Sequence, residues 1–206
     1  MWPLHIIAFR KKIRLISLLS GSVQLLIFCF YLVPYQFMYN PNYMSFGEWE
    51  NAEKVLTLSG GAFIIAGLFS MKNENPLTRW LAKLIPLGAI LFSLTIICYG
   101  INHFLYAIDT ADYVPSWVPY RLFWTYFAGT ALIGSGIAIM FKIKPKLIAT
   151  LLGTMIFIWF IILHIPRIIA SPVEYLGGEF LGAFLALAYS GIAFVIARAT
   201  KAKLNY

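Results

Sequence analysis

Six uncharged apolar runs divide the chain, and the loops between them alternate between basic and acidic. The runs cover residues 15–33, 55–71, 84–108, 122–141, 147–163 and 180–197, with His103 the single interruption of the third run. A helix rises about 1.5 Å per residue, so each run is long enough to cross a hydrocarbon core of roughly 30 Å. The pattern predicts an all-α polytopic membrane protein with six transmembrane helices.

The basic residues predict the orientation of these helices. Of the 16 Lys and Arg residues, all but Lys54, Arg121 and Arg167 lie in the N-terminal tail, the second loop, the fourth loop or the C-terminal tail. Because basic loops stay on the cytoplasmic side, both termini are predicted to be cytoplasmic. The net charge of +8 is therefore a topology signal, and no nucleic-acid partner is expected. The lipid bilayer is the expected surroundings.

Composition excludes an ordinary soluble domain, because 61% of the residues are hydrophobic and only 12% are charged. The basic N-terminal stretch and the apolar run after it resemble a signal peptide. No small-residue cleavage site follows them, so a retained anchor is expected. Cys29 and Cys98 lie within predicted helices and are expected to pack as small apolar residues, with a redox role as the alternative.

Local signals predict where several helices begin. Ser45 followed by Glu48 has the spacing of a capping box, which predicts that the second helix begins near Phe46. Ser171 followed by Pro172 predicts that the last helix begins at about Pro172, because proline suits the first helical position.

Prolines and glycines predict further features of the third and fourth helices. Pro86 is predicted to kink the third helix, and Pro119 is predicted to open the fourth. Gly129, Gly134 and Gly136 line the fourth helix with small residues, which suits close helix packing in lipid.

Three sequence elements then resemble the DoxX family of small bacterial membrane proteins. They are G-I-N-H-F at residues 100–104, the proline-framed turn Y-V-P-S-W-V-P at residues 113–119, and W-T-Y-F-A-G at residues 124–129. The resemblance covers roughly residues 80–197. It implies a DoxX-like four-helix bundle at residues 80–206, preceded by an N-terminal transmembrane hairpin at residues 1–79 with helices at about 13–33 and 46–71.

The resemblance implies a function in a membrane redox or quinone-linked system of the bacterial inner membrane. It also implies other membrane or periplasmic protein subunits as partners. Relatives often carry a glutamate three residues after the glycine that corresponds to Gly129, whereas this chain has Leu132 there. A reaction that needs this carboxylate would have to take it from Glu179 or Glu53.

Ionisable residues near the predicted outer ends of the helices are the candidate site, because such groups are costly in a membrane and usually face a partner or a cavity. Histidine can hydrogen-bond a quinone carbonyl and carry its proton. The predicted catalytic residues are His103, His164, Glu179 and Arg167. The predicted cofactor-binding residues are Trp117, Trp124, Tyr126 and Tyr99, with quinone as the cofactor and no metal or nucleotide expected.

Simpler interpretations stay open for each of these residues. His103 could bond the turn at residues 115–119 and only stabilise the loop, while Arg167 and Glu179 could be only an interfacial ion pair. Ligation of a haem by His103 and His164 is a further alternative. For the whole chain, the alternative function is a non-catalytic scaffold or accessory subunit. A transporter ranks third, because a convincing repeat and interrupted helices near the midplane are missing.

Overall fold

The computed structural model describes residues 4–69, 74–170 and 178–201, and within these ranges the chain is helical without a β-strand. The all-α prediction is confirmed for the described residues. The α-helices are α1 Leu4–Ile27, α2 Val33–Tyr39, α3 Glu50–Leu68, α4 Pro76–Leu81, α5 Leu87–Leu105, α6 Ala107–Asp112, α7 Arg121–Met140, α8 Pro145–Trp159, α9 Ile165–Ala170 and α10 Gly178–Lys201. Short 3-10 turns occupy Phe46–Trp49 and Ala82–Leu84, and π turns occupy Phe28–Leu32 and Phe160–His164.

Five helical stretches are long and apolar enough to cross a membrane. They are Phe9–Tyr39, Pro76–Leu105, Arg121–Met140, Pro145–Ala170 and Gly178–Ala199. The second predicted run lies in α3, which is not among the five and which carries Glu50, Glu53 and Lys54 in its first turns. The chain is therefore a helical protein with several membrane-compatible helices, and the sixth crossing stays a prediction.

The chain divides into two compact units. The first unit comprises Met1–Thr95 together with Arg198–Tyr206, and the second comprises Ile96–Ala197. The boundary between them falls within α5. The division at residues 79 and 80, inferred from the family resemblance, stays a prediction.

In the first unit, α1 and α3 pack as an antiparallel hairpin. Arg14 near the start of α1 donates from Nη1 to the carbonyl oxygen of Ala66 near the end of α3, at 2.7 Å, and also pairs with Glu74. Further along α1, the carbonyl oxygen of Gly21 accepts a bond from Ser59 Oγ at 2.8 Å. The contacts advance along α1 as they retreat along α3, so the two helices run in opposite directions.

In the second unit, α8 and α10 make the same contact as α1 and α3. Ser190 Oγ donates to the carbonyl oxygen of Gly153 at 2.9 Å. A Cβ built on Gly153 would lie 3.1 Å from the ring of Phe194, just as one on Gly21 would lie 2.9 Å from the ring of Phe63. In both hairpins, a serine donates a hydrogen bond to the carbonyl oxygen of a glycine. The ring of the phenylalanine four residues after that serine packs against the same glycine.

The sequences of these two hairpins match where their contacts match. The segment G-E-W at residues 47–49 corresponds to G-E-F at residues 178–180, and S-G-G-A-F at 59–63 corresponds to S-G-I-A-F at 190–194. In the preceding helices, glycine, phenylalanine and proline recur with one spacing, at positions 21, 28 and 34 and at positions 153, 160 and 166. Helix α7 carries a related S-G-I-A at residues 135–138. The chain thus contains an internal repeat.

Both π turns end two residues before a proline of this repeat. The turn Phe28–Leu32 precedes Pro34, and the turn Phe160–His164 precedes Pro166. Proline lacks an N–H and its ring clashes with the carbonyl four residues earlier, so the helix widens to accommodate it. Matching motifs of a repeat are therefore present, contrary to the expectation from the sequence. Both π turns lie inside stretches that are helical throughout, Phe9–Tyr39 and Pro145–Ala170. The expectation that no helix is interrupted near the midplane stays a prediction.

The predicted helix starts are only partly confirmed. The helical turn at Phe46–Trp49 begins where expected, but Ser45 makes no side-chain capping bond. Pro86 separates the turn Ala82–Leu84 from α5, which begins at Leu87. Helix α7 begins at Arg121 after Tyr120, whose φ of 56° is left-handed, so the prediction that Pro119 opens it was wrong. The predicted start at Pro172 lies outside the described residues.

The predicted close packing of α7 holds at one of its glycines. A Cβ on Gly129 would lie 3.0 Å from the carbonyl oxygen of Gly100 on α5, so the backbones of α5 and α7 approach closely there. Gly134 instead has nothing within 4 Å of its Cβ position. The face of α7 that carries small residues therefore contacts another helix at Gly129 but not at Gly134.

Candidate functional site

The candidate site of the second unit is built around an ion pair between α9 and α10. Arg167 donates from Nε to Glu179 Oε2 at 2.9 Å, and its Nη2 contacts Glu179 Oε1. Two parallel contacts of this kind fix the planes of both groups. The side chains are 31% and 20% exposed, so solvent reaches the pair only in part. The ion pair that was the simpler interpretation of these residues is confirmed, while a catalytic role stays a prediction.

The ring of Tyr113 packs against the guanidinium of Arg167. The guanidinium carbon of Arg167 lies 4.2 Å from the centroid of the Tyr113 ring, which is the geometry of a cation–π contact. Tyr113 follows the short helix α6, within the turn that resembles the DoxX family. The sequence analysis quoted Tyr113 for the resemblance only and missed it as a site residue.

His164 lies beside the ion pair as the last residue of the second π turn. Its Cε1 and Nδ1 atoms are 3.4 and 3.6 Å from the position of a Cβ on Gly182, which follows Glu179 by one helical turn. The charges of Glu179 and Arg167 both act on the imidazole. His164 Nδ1 is buried, and among the described residues it has no hydrogen-bond partner.

His103 is satisfied within its own helix. Its Nδ1 lies 2.7 Å from the carbonyl oxygen of Tyr99. Because a carbonyl only accepts hydrogen bonds, Nδ1 carries the proton, and in a neutral ring Nε2 is then an acceptor. The His103 Cβ also lies 2.9 Å from the Cβ position of Gly129. This bond uses Nδ1 alone, so the alternative in which His103 bonds the turn at residues 115–119 stays a prediction.

The predicted aromatic residues occupy separate contacts. Trp124 packs edge-on against Trp159 at a centroid distance of 6.1 Å, and Tyr126 lies 5.5 Å from the Phe104 ring. Tyr99 on α5 meets Tyr189 on α10 at 5.9 Å. Trp117 is 68% exposed. The structure thus places this set on α5, on α7 and in the turn before α7. Of the predicted catalytic residues, it brings together His164, Arg167 and Glu179.

The convergence of His103 with the other three predicted catalytic residues is not observed. In the described part of the chain, no direct hydrogen bond or ion pair joins His103 to His164, Arg167 or Glu179. Glu53, the other carboxylate considered as a replacement for Leu132, is 7% exposed and belongs to the first unit. Within the second unit, Glu179 is the carboxylate beside a histidine.

The described residues contain few side-chain groups suited to metal binding or thiol chemistry. No group of three or more His, Cys, Asp or Glu side chains in residues 4–69, 74–170 and 178–201 could hold a metal ion. Cys29 and Cys98 form no disulfide, and Cys29 is exposed rather than packed as expected. The site therefore offers hydrogen-bond donors and a charge pair as its chemistry.

No protein-family model, curated protein or solved structure matches the chain.

Proposed function

We propose that this chain is a DoxX-like protein with six membrane crossings, which lies in the bacterial inner membrane with both termini in the cytoplasm. It binds a quinone headgroup at the outer end of its second unit, as a subunit of a membrane redox system. The observation that supports the proposal is the buried Nδ1 of His164, which lies beside the Arg167–Glu179 pair and has no hydrogen-bond partner in residues 4–69, 74–170 and 178–201.

The sixth crossing is supported by the length over which α3 accompanies the first span. Near one end Ala66 meets Arg14, and near the other the carbonyl oxygen of Glu48 accepts a bond from Gln36 Nε2 at 2.6 Å. Between Glu48 and Ala66 a helix rises about 27 Å, close to the thickness of the hydrocarbon core. Helix α3 also matches α10 in the repeat, and α10 belongs to a membrane-compatible stretch. An even number of crossings returns every basic loop to one side.

A quinone fits the chemistry of the site. Its carbonyl oxygens accept hydrogen bonds and donate none, and the imidazole of His164 can donate one in the tautomer that carries its proton on Nδ1. A buried donor left without a partner costs about 1–3 kcal/mol, and a bound carbonyl would recover this cost. Gly182 lets the imidazole of His164 lie close to α10, and the apolar tail of a quinone would remain in lipid. The proposal concerns binding, and the electron donor would be another subunit.

Quinone content of the purified protein tests the proposal. The protein is extracted in a mild detergent, and its lipophilic ligands are quantified against protein. Wild type is expected to retain quinone and His164→Ala to lose it. His103→Ala is the matched control, because Tyr99 already accepts the proton of His103 Nδ1. The sequence analysis placed His103 in the site, so a loss confined to His103→Ala would move the site there. Equal quinone in wild type and His164→Ala would refute this site.

A non-catalytic accessory subunit is the second candidate. The segment that joins the helices of the first unit exposes large apolar side chains: Phe37 is 60% exposed, Tyr39 71%, Met38 72% and Met44 86%. Such side chains would suit contact with another membrane subunit. Purification of a stoichiometric complex without any bound quinone would favour this function, whereas a single component with quinone would count against it.

A transporter remains the third candidate, and the repeat now supports it more than the sequence analysis expected. Transporters are often built from repeated helical units with interrupted helices. The two π turns and the matching hairpins fit this description in part. Flux of a candidate solute into proteoliposomes that exceeds the flux into empty vesicles would establish it.

A further inference from the structure

The turn between α7 and α8 combines basic side chains with a strained backbone. It comprises residues 141–144, F-K-I-K, and is followed by Pro145 and Lys146. Lys142 has a φ of 57° and Lys144 a φ of 43°, and they are two of the three non-glycine residues with positive φ in the described part of the chain. Left-handed backbone is costly for residues with a Cβ, so glycine or asparagine usually occupies such positions.

The hydrogen bonds of the turn explain the left-handed backbone at Lys142. The N–H of Ile143 donates to the carbonyl oxygen of Ala138 at 2.8 Å. The N–H of Lys142 donates to the carbonyl oxygen of Ile139 at 3.1 Å. These two bonds form a Schellman motif, which ends many helices and usually has glycine at its left-handed position. The turn therefore needs a left-handed residue, but it does not need a lysine.

The lysines at the start of α8 are unfavourable for that helix as well. Lys144 is its N-cap residue and makes no side-chain capping bond, and the first turn carries no acidic residue. N-cap positions favour Ser, Thr, Asp and Asn, and the helix dipole disfavours cations at this end. Membrane orientation depends on basic residues in the loop, but a lysine in place of the exposed Ile143, whose φ is not positive, would serve it equally. An interaction outside the local fold therefore accounts best for Lys144 and Lys146.

Both of these lysines are available to an anion. Their side chains are exposed. Within residues 96–170 and 178–197, the carboxylates of Asp112 and Glu179 pair with arginines, and neither Lys144 nor Lys146 forms an ion pair. The positive charge at this end of α8 is thus not neutralised by the described residues of the second unit.

The same turn exposes apolar side chains between the basic ones. Phe141 is 70% exposed and Ile143 56%. The helices on either side belong to the membrane-compatible stretches Arg121–Met140 and Pro145–Ala170, so in a bilayer the turn that joins them lies at the level of the headgroups. At this level apolar side chains meet acyl chains, and lysine ammonium groups reach phosphate. A lipid accounts for both kinds of side chain at once.

We infer that residues 141–144, together with Lys146, bind the headgroup of an anionic phospholipid. The ammonium groups of Lys144 and Lys146 contact the phosphate, while Phe141 and Ile143 lie among the first carbons of the acyl chains. The strained lysine at position 144 serves the lipid and not the fold. The inference requires that α7 and α8 cross the membrane and makes no use of the quinone site, so failure of quinone binding would leave it standing.

Lipid titration of the full chain tests this inference. The delipidated protein in detergent is titrated with short-chain phosphatidylglycerol, or with phosphatidylcholine of the same chain length, and bound lipid is counted by native mass spectrometry. Wild type is expected to bind phosphatidylglycerol at least about fivefold more tightly, because one lysine near an anionic lipid surface contributes a factor of about five. Equal affinity for the two lipids would overturn the inference.

Substitutions at Lys144 separate lipid binding from folding. Lys144→Asn and Lys144→Gly remove the charge and introduce residues that adopt left-handed backbone more readily. Both are expected to weaken phosphatidylglycerol binding about fivefold, while the unfolding temperature without lipid stays unchanged or rises. Lys144→Arg is expected to keep the affinity. Full affinity in Lys144→Asn would contradict the assigned contact, and a lower unfolding temperature in Lys144→Gly would contradict the strain.

Lys146 and Lys54 supply the matched controls. Lys146→Gln removes a charge from helical backbone and is expected to weaken binding by a similar factor at an unchanged unfolding temperature. Lys54 is already paired with Glu50 at 2.8 Å, so Lys54→Gln is expected to bind phosphatidylglycerol as wild type does. Equal weakening in Lys54→Gln would show that net charge, and not this turn, attracts the lipid. Displacement of the lipid by an equal concentration of inorganic phosphate would assign the turn to a free anion and also overturn the inference.

Discussion

The positive charge of Arg167 is stabilised by two contacts. Its guanidinium is paired with Glu179 and lies over the ring of Tyr113. An unpaired charge in a membrane costs from about 2.5 kcal/mol upwards, so both contacts contribute to holding Arg167 near the lipid boundary. The ring contacts the face of the guanidinium, while N–H groups in its plane bond Glu179.

Substitution of Tyr113 tests this arrangement. Tyr113→Leu is expected to lower the free energy of unfolding by about 0.5–2 kcal/mol, because it removes the aromatic face beneath the charge. Tyr113→Phe keeps the face and is expected to retain most of the stability. Chemical unfolding in detergent, followed by circular dichroism, compares the two variants. Equal losses would assign the contribution to the hydroxyl group and contradict a cation–π contact.

Individual site residues could be predicted from the sequence where they interrupt or border an apolar run. His164, Arg167 and Glu179 were identified in this way, since ionisable groups near a membrane are few. Tyr113 could not be distinguished from the aromatic residues that commonly lie at membrane boundaries. The bond from His103 to Tyr99 depends on a side-chain rotamer, which the sequence does not specify.

At the scale of elements, close backbone contact determines where helices can pack. A Cβ on Gly60 would lie 2.7 Å from the carbonyl oxygen of Gly88, so α3 and α5 touch through backbone atoms within the first unit. A backbone oxygen cannot move aside as a flexible side chain can. Any larger residue at position 60 must therefore separate the two helices.

Gly60→Ala and Gly134→Ala form a matched pair of glycine substitutions. Gly60→Ala is expected to destabilise the protein by about 1–3 kcal/mol through overpacking. Gly134→Ala meets nothing within 4 Å and is expected to be neutral or slightly stabilising, because alanine favours helix by up to about 1 kcal/mol over glycine. Unfolding temperatures in one detergent compare them. A neutral Gly60→Ala would show that α3 and α5 do not approach so closely.

The helices themselves were largely predictable, and their irregularities were not. Apolar runs identified every long helix, because length and apolarity are properties of a segment alone. Pro34 and Pro166 were visible in the sequence, but a helix can respond to proline by kinking, ending or widening. Which response occurs depends on packing, so the π turns became evident only in the structure.

At the scale of the whole molecule, the internal repeat is the feature that sequence analysis missed. Its matches are confined to short motifs within segments rich in Leu, Ile and Ala, where chance agreement is frequent. Two observations made it visible: the bonds from Ser59 to Gly21 and from Ser190 to Gly153. The signal that could have revealed it is the shared S-G-x-A-F motif, together with one glycine-to-proline spacing in the preceding helices.

Cysteine labelling tests the six crossings and their orientation. Ser116 and Lys144 are exposed positions in the third and fourth loops. In a background with Cys29 and Cys98 replaced by alanine, Ser116→Cys is expected to react with a membrane-impermeant maleimide on intact cells. Lys144→Cys is expected to react only after permeabilisation. Labelling of both positions from the same side would contradict the topology, and with it an outward-facing site.

The π turn Phe160–His164 can be compared with its counterpart in the first unit, Phe28–Leu32. Because the first hairpin has a π turn at the matching position, which ends at Leu32, this irregularity does not depend on an imidazole. The widened segment before Pro166 is thus a property of the backbone and its proline, and His164 is a side chain added to it.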